Sequence, residues 1–259
     1  MDTEHGRRER SDSHQSSGLS EVLADAVSVW RSSVVPVLDR IAEAGAHLTA
    51  SIASTIEDLR PLVEALPEVT RRQFLNFAAY GWYPDIDMPL AVLAEISNRF
   101  ENGSPSGSAL CVQYFDDELP RIESDLLKEW PTRATAIAEG FAAHHQGMFF
   151  AAIPVFLAQS DGIAREELGR RAFDRRGTGR QSDTTWDLVL EAVQLPMASE
   201  TPLNQPESKR GGCFEGLNRH AVMHGDPPLE YGTRVNSLQA VSYLNYVAAV
   251  ARLVADSRL

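Results

Sequence analysis

The residues best suited to chemistry are three basic side chains in a protein with a formal net charge of −12. Arg219, His220 and His224 fall within six residues, and Gly225 follows as the residue expected to end their helix. The helix dipole favours the protonated imidazole of His224, which can titrate near neutral pH and act as a general acid or base. A guanidinium beside such an imidazole suits phosphodiester chemistry, because Arg219 can hold the phosphate while His224 moves protons.

The same side chains also suit a structural role at the end of a helix. Arg219 and His224 can bind the last carbonyls of the helix, and both can pair on the surface with acidic neighbours, Asp226 and Glu230. Upstream, Asp161 can pair with Arg219 and orient it, or cap a helix end, and we assign it no catalytic role. Spacing alone leaves the chemical and the structural roles open.

Zinc binding is a third interpretation of the histidines. His220 and His224 are four residues apart, so they share a helix face, and His144 with His145 can complete a ligand set. No Glu follows His220 as in the H-E-x-x-H pattern, and the two cysteines lie far apart in sequence at no metal-ligand spacing. A zinc-dependent enzyme is therefore the weaker alternative.

A second basic feature is the segment 169–183, which holds three glycines and predicts a loop. Its residues 169–180 carry a local charge of +4, and phosphate recognition relies on such clusters. A solvated surface loop is the structural alternative. The candidate RNA-binding residues of this loop are Arg170, Arg171, Arg175, Arg176 and Arg180.

The elements that must position these side chains are helices, because apolar residues recur every three or four positions along most of the chain. No alternating strand pattern extends beyond a few residues, so the predicted fold class is all-α. We expect a disordered tail over 1–18, an N-terminal helical region of unknown role over 19–130, and a helical bundle over 131–259. The first predicted helix is kinked near Pro36 and carries an apolar stripe of Leu23, Val27, Trp30, Val34, Val37 and Ile41.

Prolines, glycines and capping residues predict where several elements begin and end. A second helix is expected to end at Pro61, and a more buried helix to span about 148–160. The YGWYPD segment at 80–85 offers aromatic rings for stacking on a base, although a hydrophobic corner between helices is the simpler interpretation. Thr233 is the expected N-cap of the last helix, whose apolar stripe predicts core packing.

Length and composition exclude several protein classes. A chain of 259 residues with 43% apolar residues can bury a substantial core, which excludes global disorder and disulfide mini-scaffolds. The negative net charge excludes a non-specific nucleic-acid binder but not a focused basic cleft. The polar N-terminus lacks an apolar signal core and no apolar run reaches the roughly 18 residues of a membrane span, so we expect a cytoplasmic protein without a membrane partner.

The spacing from Arg219 to His224 matches the Arg-x(4–6)-His signature of HEPN domains (higher eukaryotes and prokaryotes nucleotide-binding), with His220 in the place of the polar residue after Arg. The surrounding sequence resembles a bacterial HEPN-like, abortive-infection-type group. That resemblance covers roughly residues 135–257. It is carried by the NRHAVMHG box at 218–225, the YGT at 231–233, Asn236 with Leu238, the long terminal helix and the helix at 151–163.

The resemblance implies a helical bundle of four to five helices that forms a homodimer, with Arg and His of both copies lining a shared cleft. It implies a metal-independent endoribonuclease without a cofactor, in which the RNA 2′-hydroxyl attacks the adjacent phosphate. His224 would then be the proton-transfer residue and Arg219 the phosphate binder, with Asn218 and His220 as supporting polar groups. Such proteins act in phage defence or in toxin–antitoxin pairs, with an antitoxin or defence partner. Others are catalytically silent interaction or sensor modules, which is the alternative.

Overall fold

The computed structural model of this protein describes residues 49–169, 184–209, 216–226 and 230–257. These ranges contain eight α-helices and no β-strand, which confirms the all-α prediction. The predicted tail and the first predicted helix lie outside the described residues. A short 3-10 turn occupies Glu207–Lys209. The helices are α1 (Thr49–Ala79), α2 (Leu90–Glu101), α3 (Ser106–Glu129), α4 (Ala134–His145), α5 (Phe149–Glu167), α6 (Thr185–Ala198), α7 (Arg219–His224) and α8 (Arg234–Asp256).

Helix α8 is the centre of the bundle, and it packs most extensively against α5. It begins as predicted at Thr233, whose side chain accepts a hydrogen bond from the backbone N–H of Asn236. By length and composition α8 would be apolar enough to cross a membrane, but 83% of its most apolar window is buried inside the protein. That burial fits the core helix of a bundle and confirms the predicted core packing.

The helices before residue 130 share one continuous hydrophobic core with those that follow. Helix α1 packs against α6, and α3 packs against α4 and α8. The turn between α1 and α2 is buried in this core, where Trp82 stacks on Phe115 and Tyr83 lies against Tyr243. The interpretation of 80–85 as a hydrophobic corner is thus confirmed. The division of the chain at residue 130 stays a prediction.

Two predicted helix ends are wrong. Helix α1 continues through Pro61 and Pro67, although a proline inside a helix removes one backbone hydrogen bond and crowds the preceding turn. Packing of the helix on its neighbours outweighs this local cost. Helix α5 continues through Gly162 to Glu167. Gly162 does not end the helix but lies against the side chain of Arg133. A Cβ there would lie 2.1 Å from the guanidinium of Arg133, so the glycine makes room for that side chain.

Candidate functional site

Helix α7 starts at a residue that ties it to the preceding segment. Asn218 has extended backbone, and its side-chain oxygen accepts a hydrogen bond from the backbone N–H of Ala221 at 3.1 Å. The side-chain amide of Asn218 donates to the carbonyls of Pro202 and Gln205, at 2.8 and 2.9 Å. The helix therefore begins at Arg219, because the Asn218 side chain caps it.

Arg219, the first residue of α7, is joined to the middle of α5. Its Nη2 lies 2.7 Å from Oδ2 of Asp161, so the predicted pairing of these two residues is present. Both side chains are about four-fifths buried, at 19% and 23% exposed. Tyr243 of α8 lies near this pair, and burial is the main reason that the pKa of its hydroxyl is raised well above its usual value. The neutral phenol therefore adds no charge of its own beside the guanidinium.

His224 is the last residue of α7 and its side chain is exposed. Gly225 ends the helix as predicted, because its φ of +71° is a left-handed conformation that glycine adopts without strain. The backbone N–H groups of Gly225 and Asp226 both donate to the carbonyl of Ala221. The imidazole of His224 therefore sits at the carbonyl end of the helix.

The rings of His220 and His224 are parallel, with 6.3 Å between their centroids and 4° between their planes. The prediction that the two imidazoles share one helix face is confirmed. Arg219 is five residues from His224, about 140° around an ideal helix. Helix α7 thus presents a guanidinium on its α5 side and two imidazoles on another side.

The histidines of α4 do not complete a metal site. Nδ1 of His144 is hydrogen-bonded to Oγ of Ser237 at 2.7 Å in the core, and Nε2 of His145 lies 2.8 Å from Glu123. Nowhere in the described part of the chain do three or more His, Cys, Asp or Glu side chains group so as to hold a metal ion. The zinc alternative would have to draw its further ligands from elsewhere.

Other positions of the resembling motif have structural partners. The side-chain amide of Asn236 donates to the carbonyl of Tyr231 at 2.9 Å, which closes the turn into α8. Leu238 is fully buried. These contacts explain why an asparagine stands at 236 and a leucine at 238. The arginines of the basic loop, Arg170, Arg171, Arg175, Arg176 and Arg180, lie outside the described residues.

The structure also contains a buried polar network that the sequence analysis did not find. The carboxylate of Asp85 has no exposed surface and forms an ion pair with Arg121 of α3. It also accepts hydrogen bonds from the Tyr114 hydroxyl at 2.9 Å and the Asn245 amide at 3.0 Å. The only sequence signal is an aspartate inside the otherwise aromatic corner, and nothing local indicates partners on α3 and α8.

An aromatic pair marks the surface where α5 and α8 begin. Phe150 is 56% exposed, and its ring centroid lies 4.9 Å from that of Tyr231 in an edge-to-face arrangement. A Cβ at Gly232 would lie 2.3 Å from the Phe150 ring, so glycine is required for this approach. The contact places the first turns of the two helices at the same end of the bundle.

Comparison with protein-family models, curated proteins and solved structures finds no match for this chain. The family resemblance therefore depends on the residues of the chain itself.

Proposed function

We propose that this protein is a metal-independent endoribonuclease of the HEPN type. In this reaction the 2′-hydroxyl of RNA gives up its proton and its oxygen attacks the adjacent phosphorus. The bond from phosphorus to the 5′-oxygen breaks, that oxygen receives a proton, and a 2′,3′-cyclic phosphate remains. His224 transfers the protons, and Arg219 binds the phosphate and its developing negative charge.

The observation that carries the proposal is the placement of Arg219 and His224 on one short helix anchored to α5. The Asp161 carboxylate fixes the direction of the guanidinium, while His224 is exposed at the end of the same helix. The two side chains lie at opposite ends of one six-residue helix and about 140° apart around its axis, so the proposed reaction requires a phosphodiester that bridges both faces of α7. His220, parallel to His224, supplies a second polar ring on that side, and Asn218 holds the start of the helix in place.

The biological setting follows from the same resemblance. We propose a cytoplasmic homodimer that cleaves RNA as a phage-defence or toxin effector, with an antitoxin or defence protein as its partner. The exposed position of His224 is compatible with a cleft shared by two copies. Light scattering of the purified chain at tens of micromolar is expected to give the mass of a dimer. A strict monomer would contradict the shared cleft.

A second candidate function is a catalytically silent interaction module. The observation that favours it is that Asn218 and Arg219 are both engaged by partners within the protein. In this case the Arg–His helix is a structural corner, and the surface around it binds another protein. The two candidates differ in whether RNA is cleaved.

The deciding experiment incubates the purified full chain with total RNA in the presence of EDTA. Arg219→Ala and His224→Ala are compared with matched controls, Arg99→Ala and His145→Ala, which change an arginine and a histidine near the ends of other helices. We expect cleavage by the wild type and both controls, and none by the two α7 variants. The products should end in a 2′,3′-cyclic phosphate.

Three outcomes would contradict the nuclease proposal. The first is cleavage that persists in the His224→Ala preparation, because it would come from a contaminant or another site. The second is cleavage that EDTA abolishes, which would favour the zinc alternative and should accompany zinc in the purified protein. The third is a folded wild type that cleaves no RNA, which would favour the interaction module.

A further inference from the structure

An apolar groove lies where α1, α2 and α6 meet. It encloses a cavity of about 300 Å³ whose lining is mostly apolar. Two leucines at its rim are exposed. Leu66 of α1 is 38% exposed, and Leu90, the first residue of α2, is 67% exposed. Soluble domains rarely leave such clusters of large apolar side chains to water. The other main lining residues are Val69, Phe74, Leu93, Val189 and Val193.

The chain immediately before α1 carries a matching apolar stripe. Between residues 19 and 41, a segment outside the described residues, six of the apolar side chains are spaced 4, 3, 4, 3 and 4 residues apart. This is the repeat of a helix that packs along another helix. On an ideal helix Pro36 falls on the opposite side from the stripe, so it does not interrupt it. The stripe consists of Leu23, Val27, Trp30, Val34, Val37 and Ile41.

Helix α1 has the same repeat in its own sequence. Leu59, Val63, Leu66 and Thr70 are spaced 4, 3 and 4 residues apart, and the last two line the groove. Two neighbouring segments with this repeat, joined by a short link, are typical of an antiparallel helix pair. The link here is the seven residues 42–48, which can span at most about 24 Å when extended. Two packed helices are only about 8–10 Å apart, so the link is long enough.

The lengths also place one end of the segment on the groove. A helix over residues 19–41 would be about 34 Å long. Along α1, Leu66 lies about 26 Å from Thr49, and Phe74 about 38 Å from it. If the segment folds back from residue 41 beside the start of α1, its residue Leu23 lies opposite Leu66. The Leu23 end of the stripe therefore lies at the groove.

We propose that residues 19–41 form a helix that folds back along α1 and covers the groove with its Leu23 end. The occupant is the same molecule, because a segment tethered by seven residues is present at a high effective concentration, in the millimolar range for short links. The exposed Leu66 and Leu90 then become part of the core. This inference does not depend on the proposed nuclease activity.

Cysteine cross-linking in the full-length chain tests the proposal. The background is Cys213→Ser, in which the remaining native thiol, Cys111, is buried. Leu23→Cys is combined with Leu66→Cys or with Thr70→Cys. The two pairs test two alignments of the segment along α1 that differ by about one helical turn. The matched control combines Asp25→Cys with the same groove positions, because Asp25 lies about 200° around an ideal helix from Leu23.

After mild oxidation at low protein concentration, we expect a disulfide within one chain, seen as a faster-migrating monomer on a non-reducing gel. Cross-linking from Asp25 should be at least tenfold slower, because a disulfide needs Cα atoms within about 7 Å. A disulfide-linked dimer as the main product would overturn the proposal in favour of a second copy in the groove. Equal cross-linking from Asp25, or none from Leu23 in either register, would also overturn it.

A dye-binding measurement gives an independent readout. Val27→Asp places a charge in the stripe, whereas Ser32→Asp places the same charge on the opposite face of the segment. We expect Val27→Asp to raise the fluorescence of an apolar dye severalfold and Ser32→Asp to leave it at the wild-type level. Equal dye binding by all three proteins would contradict an occupied groove.

Discussion

The guanidinium of Arg219 lies 2.7 Å from the carboxylate of Asp161, across 58 residues of sequence. Helix α7 has only six residues, and an isolated helix of that length is unstable in water. Its position therefore depends on the Asn218 cap at one end, the Gly225 turn at the other, and this ion pair to α5. In the proposed nuclease, Asp161 is the positioning residue for Arg219.

Replacing Asp161 by Asn keeps the shape of the side chain and removes its charge. We expect the free energy of unfolding to fall by about 1–3 kcal/mol, because both side chains are about four-fifths buried and the guanidinium loses its charged partner. RNA cleavage should fall by about tenfold or more, since the guanidinium is no longer held in one direction. Thermal melting and the cleavage rate of a labelled RNA measure the two effects.

The control for this variant is Asp116→Asn, which removes an ion pair with Arg234 at 2.9 Å on another surface. It should lower the free energy of unfolding by under about 1 kcal/mol, because Arg234 is 59% exposed, and it should leave the cleavage rate unchanged. If Asp161→Asn cleaves RNA as fast as the wild type, Asp161 does not position Arg219 for catalysis.

The buried carboxylate of Asp85 is expected to dominate the stability of the first half of the chain. Asp85→Ala leaves the Tyr114 hydroxyl and the Asn245 amide without this acceptor, and it removes a fully buried partner of Arg121. Breaking a buried ion pair in this way typically costs about 3–5 kcal/mol. Urea denaturation should show this loss.

The matched control is Asp125→Ala, because Asp125 pairs with the same arginine at 3.3 Å but is 39% exposed. Its loss should cost under about 1 kcal/mol. A loss of similar size in both variants would mean that the network around Asp85 contributes no more than an ordinary surface ion pair.

The parts of the structure that could be predicted from sequence are those fixed by neighbouring residues. The all-α class follows from apolar spacing, and the ends at Thr233 and Gly225 follow from capping chemistry that acts over three or four residues. These short-range rules need no knowledge of the tertiary packing. The pairing of Asp161 with Arg219 spans 58 residues, and the sequence offers it only as one option among several.

The parts that could not be predicted depend on contacts between distant segments. The helix through Pro61 and the helix through Gly162 both override a local breaking signal. The hydrogen bond from Asn245 to Asp85 joins residues 160 positions apart. No spacing pattern within either segment encodes such a pair.

The contact between Gly232 and Phe150 predicts a loss of stability that a second substitution should reverse. Gly232→Ala puts a methyl group against the Phe150 ring, and such overpacking usually costs about 1–3 kcal/mol. Phe150→Ala in the same chain should recover most of that loss, so the two substitutions should couple by about 1 kcal/mol or more in urea denaturation.

Gly225→Ala is the control, since nothing lies within 4 Å of its Cβ position and its φ is +71°. We expect it to cost about 1 kcal/mol through backbone strain alone, with or without Phe150→Ala. Additive effects of Gly232→Ala and Phe150→Ala would show that the two residues are not in contact.

The buried imidazole of His144 should make the protein less stable in mild acid. Burial, and then the positive charges of His145 and Arg234, lower the pKa of His144 to about 4. In the unfolded chain a histidine has a pKa of about 6.5. Between these two values the unfolded state binds a proton that the native state does not, so the free energy of unfolding falls as the pH falls. Well above pH 6.5 neither state is protonated, and this effect is absent.

The expected contribution of His144 is a loss of up to about 3 kcal/mol between pH 7 and pH 4, at about 1.4 kcal/mol for each pH unit. His144→Gln should reduce the loss of stability over this range by that amount when urea denaturation is measured at several pH values. Ser237→Ala removes the hydrogen bond at 2.7 Å but leaves the ring buried. Because burial is the main cause of the lowered pKa, this second variant should be less stable at every pH yet retain the wild-type slope. A wild-type slope in His144→Gln would mean that other groups cause the acid sensitivity.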